Sequence, residues 1–364
     1  MLRQTTQAQG RLLGKAETSG ELSDRKASLD TLLQNIVTSS AIENERLNVG
    51  SLRSSLAKRL GLTEREVEQG VTRQTRTTTV RSEGLAALMM DATGNIQASL
   101  TKERLFQWHH WLFPDQQTPL LGTIKIGALR GDEPMQVVSG RIDRPTVHFE
   151  APPREVLDNE LKRFLDWFNS SSKDANLDPL LRAGIAHFWF VTLHPFDDGN
   201  GRLARAITDL ALAQGEQQSI RLYAMSAVIL EHRQGYYDIL ERSQKGSPDI
   251  TGWLDWFLSI LSETLQTALS RIDAVLDKAR FWRCHVQQTL SPEQVLNRLL
   301  DGGPQGFEKG INATQYQRVA KVSKATATRH LSDLLNKGCL EKLPGGGRST
   351  RYRITGAPGT EGKQ

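Results

Sequence analysis

One dodecapeptide, HPFDDGNGRLAR at residues 194–205, gathers residues whose types and spacing suit a single chemistry. Gly199-Asn200-Gly201 stands directly before an amphipathic run, which leaves backbone N–H groups open and places the positive end of a helix dipole behind them. Phosphate is the natural guest of such a site. Arg202 and Arg205 fall in the first turn of that helix, where cations oppose the dipole, so something anionic is expected to offset them. Asp198 supplies one carboxylate just before the glycines, the usual manner in which Mg²⁺ is held beside nucleotide phosphates. His194, at the end of the preceding helix, brings an imidazole able to take a proton from an incoming hydroxyl. Base, metal ligand and anion cradle as neighbours point to phosphoryl or nucleotidyl transfer, where positioning and charge stabilisation do most of the work. Each residue alone has an ordinary explanation in turns and surface; their fixed offsets argue for chemistry.

These residues resemble, at every defined position, the Fic family signature His-Pro-Phe-x-(Asp/Glu)-Gly-Asn-Gly-Arg-x-x-Arg. The resemblance implies transfer of AMP from ATP to a Ser, Thr or Tyr hydroxyl of a target protein, with release of pyrophosphate. It makes His194 the base, Phe196 the anchor of the loop in the core, and Asp198 the ligand of Mg²⁺. Gly199, Asn200 and Gly201 would cradle the phosphates, Leu203 and Ala204 belong to the same nucleotide-binding stretch, and Arg202 and Arg205 would neutralise the charge, Arg205 at the γ-phosphate.

The elements around the loop must hold it in place. From Gly122 to Pro153 the pattern turns to glycine, proline and alternating β-branched residues; Met135–Val138 and Thr146–Phe149, joined across Ser139–Pro145, fit a β-hairpin. It resembles the family's flap, here 135–150, which pairs main chain to main chain with a target peptide. Thr146, Val147 and His148 fall where that flap approaches the nucleotide. Tyr236 and Tyr237 fall where relatives stack on adenine, and Gln244 where its edge is read, although tyrosines on an amphipathic helix also serve as core. The run LDPLLRAGIAHFWFVTL is apolar nearly all round and reads as a buried central helix delivering the chain to His194. Helices are further expected in REVLDNELKRFLDWFN, RLARAITDLALAQG, HRQGYYDILERSQKG and ITGWLDWFLSILSETLQTALSRIDAVLDKARFW.

Toward the N-terminus, leucines and isoleucines at helical spacing predict a helix over about 23–46, capped by Ser23, followed by helices in SLRSSLAKRLGL and LTKERLFQWHHWLFP. Ser39 and Glu43 lie one turn apart on the first of these. Glu43 there could simply pair with Arg46 in solvent. However, Ser39, Glu43 and Asn44 resemble the family's Ser/Thr-x-x-x-Glu-(Gly/Asn) inhibitory motif. The resemblance implies that Glu43 pairs with Arg205 and takes the cation meant for the γ-phosphate. In some relatives the same glutamate positions water for AMP removal, so two roles stay open. Residues 20–112 resemble the N-terminal module of one bacterial Fic subgroup without its Trp-rich start, which reads as a truncated or divergent beginning.

The formal charge of +5 is uneven: residues 281–364 hold 13 Lys and Arg against 6 Asp and Glu, leaving the first 280 residues at −2. In this basic tail Thr314 and Ser323 would cap two short helices, Gly338 would stop the second, and Leu340–Leu343 and Arg351–Ile354 would flank a wing, PGGGRST. This resembles a winged helix-turn-helix. In contact with DNA, Lys324, Thr326, Thr328 and Arg329 would face the groove and Arg348, Arg351 and Arg353 the phosphates; docking of protein is the other use of the module. Two cysteines, no apolar run long enough for a bilayer and no signal-peptide core give the expectation of a cytoplasmic protein. His109, His110 and His187 read as packing residues, and GGGRST lacks the Lys-Ser/Thr of a P-loop.

The expected fold is mainly α: an N-terminal helical module (1–112), a Fic core with its flap (113–283) and a winged helix (284–364). The expected activity is protein AMP transfer with Mg²⁺ and ATP, held back by Glu43. AMP removal, a bifunctional enzyme and a nucleotide-sensing DNA-binding regulator are the alternatives. DNA and a second copy of the chain stand open as partners beside the target protein.

Overall fold

A computed structural model describes residues 1–16, 21–62, 78–114, 124–141, 144–218, 222–285, 293–301, 307, 310–344 and 350–355. They form 14 helices and two antiparallel hairpins, so the chain is mainly α, and divide into two units, Met1–Ala268 and Leu269–Gln364. Among the described residues no helix is long and apolar enough to cross a membrane.

The first unit runs α1 (Leu2–Ala16), α2 (Glu21–Ile42), α3 (Val49–Arg59), α4 (Val80–Gly94), α5 (Lys102–Leu112), β1 (Gln136–Arg141), β2 (Arg144–Glu150), α6 (Arg154–Ser171), α7 (Pro179–Leu193), α8 (Asn200–Glu216), α9 (Met225–Glu231), α10 (Arg233–Lys245) and most of α11 (Thr251–Cys284). Its centre is the pair α7 and α8. Asp178 caps α7, its Oδ1 accepting from the Leu180 amide at 2.8 Å, and Pro179 fills the first position, where no N–H is needed. Leu180, Ala183, Ala186, Phe190 and Leu193 bury one side of α7; Leu203, Ala206, Ile207, Leu210 and Ala211 do the same for α8. The expected central helix therefore lies where the sequence puts it.

Several boundaries differ from expectation. The helix expected over 23–46 spans Glu21–Ile42, so Ser23 lies inside it and is no cap. The hairpin strands extend beyond the expected Met135–Val138 and Thr146–Phe149, to Arg141 and from Arg144, with a bulge at Val137/Val138; most of the expected connection is itself paired strand. Helices α1, α4 and α9 escaped the sequence reading. In α1 and α4 small and polar residues fill much of the buried face, for example Thr5 and Ala8 in α1 and Ser82, Gly84 and Ala86 in α4, so the apolar periodicity that reveals a helix is weak, and α9 has only 7 residues in which to show one.

The second unit, beginning within α11, contains α12 (Glu293–Asp301), α13 (Ala313–Ala320), α14 (Lys324–Asn336), β3 (Leu340–Lys342) and β4 (Tyr352–Ile354). Val295, Leu296, Ile311, Tyr316, Leu331 and Leu334 form its core. Asn312, rather than the expected Thr314, caps α13, its side chain accepting from the Gln315 amide while the Gln315 side chain accepts from the Asn312 amide. Ser323 caps α14 as expected. Gly338 follows it at φ +70°, and β3 pairs with β4. Arg351 donates to the Gly310 carbonyl at 2.8 Å and Arg353 pairs with Glu341, so both have partners within the unit. Arg348 lies outside the described residues.

Candidate active site

The turn between α7 and α8 is fixed by its own sequence. His194 ends α7 in the left-handed conformation (φ +48°, ψ +57°), and Gly199 (φ +83°) precedes α8, where a Cβ would fall 2.7 Å from Leu112 and 2.9 Å from Phe113. Phe196 is fully buried and stacks on His109, ring centroids 4.3 Å apart. Asn200, 2% exposed, staples the turn: its Nδ2 donates to the Phe196 carbonyl at 2.8 Å and its Oδ1 accepts from the Phe196 amide at 3.0 Å. What Asn200 can offer a ligand is therefore its backbone N–H. We predict that Asn200→Ala lowers stability by about 2 kcal/mol, since two buried backbone groups lose their partners; thermal unfolding of the full chain measures it.

His194 is the candidate base. Its Nδ1 lies 3.3 Å from the Val191 carbonyl, which can only accept, so Nδ1 carries the proton and Nε2 is left as the acceptor. Burial, helped by the Arg130 charge, holds its pKa below the ordinary imidazole value in spite of the Val191 contact. Asp198 is half exposed, its carboxylate accepting from the Gly199 amide and lying 3.4 Å from Arg202. Leu203 and Ala204 are fully buried in the core, so their side chains do not reach the site.

Arg202 and Arg205 are buried, and the anions that offset them come from the chain itself. Along α2 and the turn that ends it, Asn35, Ser39 and Glu43 recur every four residues and meet α8. Asn35 donates to Asp209 at 2.6 Å, Ser39 accepts from Arg205 Nε through Oγ at 2.8 Å and from Nη2 through its carbonyl at 2.9 Å, and Glu43 Oε1 lies 2.8 Å from Arg205 Nη2. Burial alone would raise the Glu43 pKa, but Arg205 and Arg202 hold it below the ordinary value. Asn44 sits at φ +61°, with its amide on Ala41 O at 3.0 Å and that of Glu45 on Ser40 O at 2.9 Å. This left-handed helix end is what Gly or Asn tolerates best. Next in the chain, Glu45 Oε2 lies 2.6 Å from Arg202 Nη1, and Oε1 pairs with Arg81 of α4. The sequence reading missed Glu45 and Arg81, since nothing local marks them.

A cavity of about 730 Å³ opens beside this array, lined among others by Glu43, His194, Gly201, His148, Tyr237 and Gln244. His148 faces Glu241 of α10 at 2.6 Å, whereas Thr146 and Val147 are exposed on β2 and outside the lining. Tyr236 edges the cavity but is 1% exposed. Thr208 donates to the Ala204 carbonyl (2.8 Å), so His187 Nδ1–H donates to Thr208 (2.8 Å) and His187 Nε2 accepts from the Tyr236 hydroxyl (2.9 Å). The Tyr236 ring packs near Trp256, and half-buried Tyr237, whose hydroxyl is 3.3 Å from Glu43 Oε2, lines the cavity beside it. Gln244 donates to Thr192 at 3.2 Å. His187 is the core histidine expected, its pKa pushed down to about 3 by burial. His109 does more than pack. It accepts from the Gly127 amide at Nδ1 (3.0 Å), so Nε2 carries the proton and donates to the Asp198 carbonyl (3.2 Å).

The residues fit a magnesium nucleotide. Arg202 Nε and Arg205 Nη1 are buried donors without a protein acceptor, and the first amides of α8 have no helical partner. A single carboxylate such as Asp198 would hold Mg²⁺ together with phosphate oxygens, the usual arrangement for that ion.

The fold has solved counterparts. A Fic family protein from Desulfovibrio desulfuricans is 21% identical with TM-score 0.53, covering 98% of this chain and 95% of that one. A Fic domain containing signaling protein from Bacteroides thetaiotaomicron is 18% identical with TM-score 0.53, over 74% and 97%. The architecture is thus a Fic fold with a small β-hairpin. In sequence, residues 99–212 match the Fic/DOC family and residues 1–62 a domain of unknown function, DUF4172. Protein adenylyltransferase fic-1 of Caenorhabditis elegans is 40% identical over 79 residues, which is 21% of this chain and 15% of that protein. Uridine 5'-monophosphate transferase of Xanthomonas campestris is 31% identical over 123 residues, 32% of this chain and 21% of that protein. The chain matches well under two thirds of the length of these relatives.

Proposed function

We propose that the chain is a nucleotidyltransferase that moves AMP from ATP to a hydroxyl of a target protein, and that Glu43 holds it in check. The observation carrying this reading is the state of Arg205: a buried guanidinium at the N-terminal end of α8, held by Ser39 and Glu43 and left with its Nη1 amino group unpaired. The acceptor oxygen attacks the α-phosphorus, the bond to the bridging oxygen breaks, pyrophosphate leaves, and the hydroxyl proton passes to His194 Nε2. The α8 amides, Arg202 and Arg205 take up phosphate charge. Mg²⁺ held by Asp198 would neutralise phosphate charge when bound. The edge of the 135–150 hairpin offers main-chain groups to the target.

Likeness to both adenylyl and uridylyl transferases makes the donor a point of test. Label from α-labelled ATP on protein, absent with α-labelled UTP, supports AMP transfer; label only from UTP overturns the AMP assignment, and label from neither favours AMP removal or nucleotide sensing. Glu45 extends the check by occupying Arg202. In a Glu43→Gly background, Glu45→Gln is expected to raise transfer roughly threefold further at limiting ATP, a modest effect on the scale of one ion pair, as read by initial rates.

The second unit is read as a winged helix-turn-helix, on the strength of the capped pair α13–α14 followed by the β3–β4 hairpin. Lys324, Thr328 and Arg329 are exposed on α14, as groove contact requires.

A further inference from the structure

The segment between α5 and β1 is bound repeatedly to the turn that carries His194. The Lys125 amide donates to Asp197 at 2.9 Å, and Gly127 reaches Asp198 through His109. The Arg130 amide donates to the Pro195 carbonyl at 3.0 Å, and Arg130 Nε to the His194 carbonyl at 2.9 Å. The same guanidinium donates through Nη2 to the carbonyl of Pro152, just beyond β2, while the Arg130 carbonyl accepts from Arg154 Nε at 3.1 Å. Arg130 is 2% exposed, and these partners of its guanidinium are main-chain oxygens. A buried cation is costly to keep unless its hydrogen bonds are specific. Here it caps the carbonyl end of α7, where the dipole is negative, and ties it to the foot of the flap.

We propose that Arg130 is a positioning residue that holds the catalytic histidine and the flap in one register. His194 needs such support because its backbone lies in the left-handed region, which a residue with a Cβ leaves readily unless held. One guanidinium spans the His194 and Pro152 carbonyls, so the base and the hairpin that presents the acceptor hydroxyl are set relative to each other. The role rests on the transfer reading above; the phosphate-binding arginines are not involved, so nucleotide binding is spared.

The test uses the full chain with Glu43→Gly as parent. Arg130→Gln is expected to lower the rate at saturating ATP about 100-fold, the scale of a small misplacement of reacting groups, with the KM for ATP unchanged within about threefold. Arg130→Lys keeps the charge but has no planar fork to span two carbonyls, and is expected to leave most of the loss. Rates are compared below the unfolding transition of each variant. A rate within about threefold of the parent, full rescue by lysine, or a KM rising in step with the lost rate overturns the proposal. Should the parent transfer no nucleotide, the transfer reading fails on its own, and crystal structures of the Arg130 variants in the otherwise native chain decide the positioning role. His194 leaving the left-handed region, with Pro152 displaced from it, supports the tie; an unmoved His194 overturns it.

Discussion

Replacing Glu43 with glycine is expected to raise AMP transfer by roughly 10–100-fold, the range of a typical coupling free energy. The carboxylate sits 2.8 Å from Arg205 and lines the cavity where phosphate charge has to settle, so it both occupies the cation and repels the guest. Removing it leaves Arg205 still oriented by Ser39. The gain should show at limiting ATP and shrink at saturation if the check acts by competition. Acid is no substitute for the mutation. Burial raises the Glu43 pKa but Arg205 and Arg202 bring it net below its ordinary 4.5. A carboxyl depressed in the folded state contributes stability that is present above the unfolded value and lost only as pH falls through the lowered one. The latch therefore persists across neutral pH. An unchanged initial rate in Glu43→Gly, measured with α-labelled ATP and a target extract, would refute the latch.

His194→Ala in that released background is expected to cut transfer about 10²–10⁴-fold, the usual worth of a general base, with the ATP affinity little changed. The pH profile supplies the matching sign. Only neutral imidazole accepts the proton, and burial with Arg130 lowers the His194 pKa below 6.5. The acid limb of transfer by Glu43→Gly should therefore have its midpoint below 6.5. The Glu43 charge favours the protonated imidazole and raises that pKa, so its removal moves the acid limb further down. A limb above 6.5, or full activity in the alanine variant, would remove His194 from the role of base.

The loop at 194–205 was legible in the sequence because its order is local. Gly199 needs its positive φ, Phe196 its burial, and the glycines precede a helix whose amides they expose. The Ser39–Glu43 spacing was legible for the same reason, as one turn of helix, and its left-handed end explains Asn44. Which cations those residues would meet rested on resemblance until the fold placed α2 against α8 at Asn35, Ser39 and Glu43. Tertiary packing alone decided the remainder. Glu45 and Arg202 lie 157 positions apart and Arg130 and His194 64 apart, with no periodicity linking either pair. Tyr236 and Tyr237 are adjacent and chemically alike, yet one is buried against His187 and the other faces Glu43. A sequence states which groups can bond and which segments repeat an apolar face, but the choice of partner across long loops depends on how whole helices pack, and that follows from the summed burial of the core.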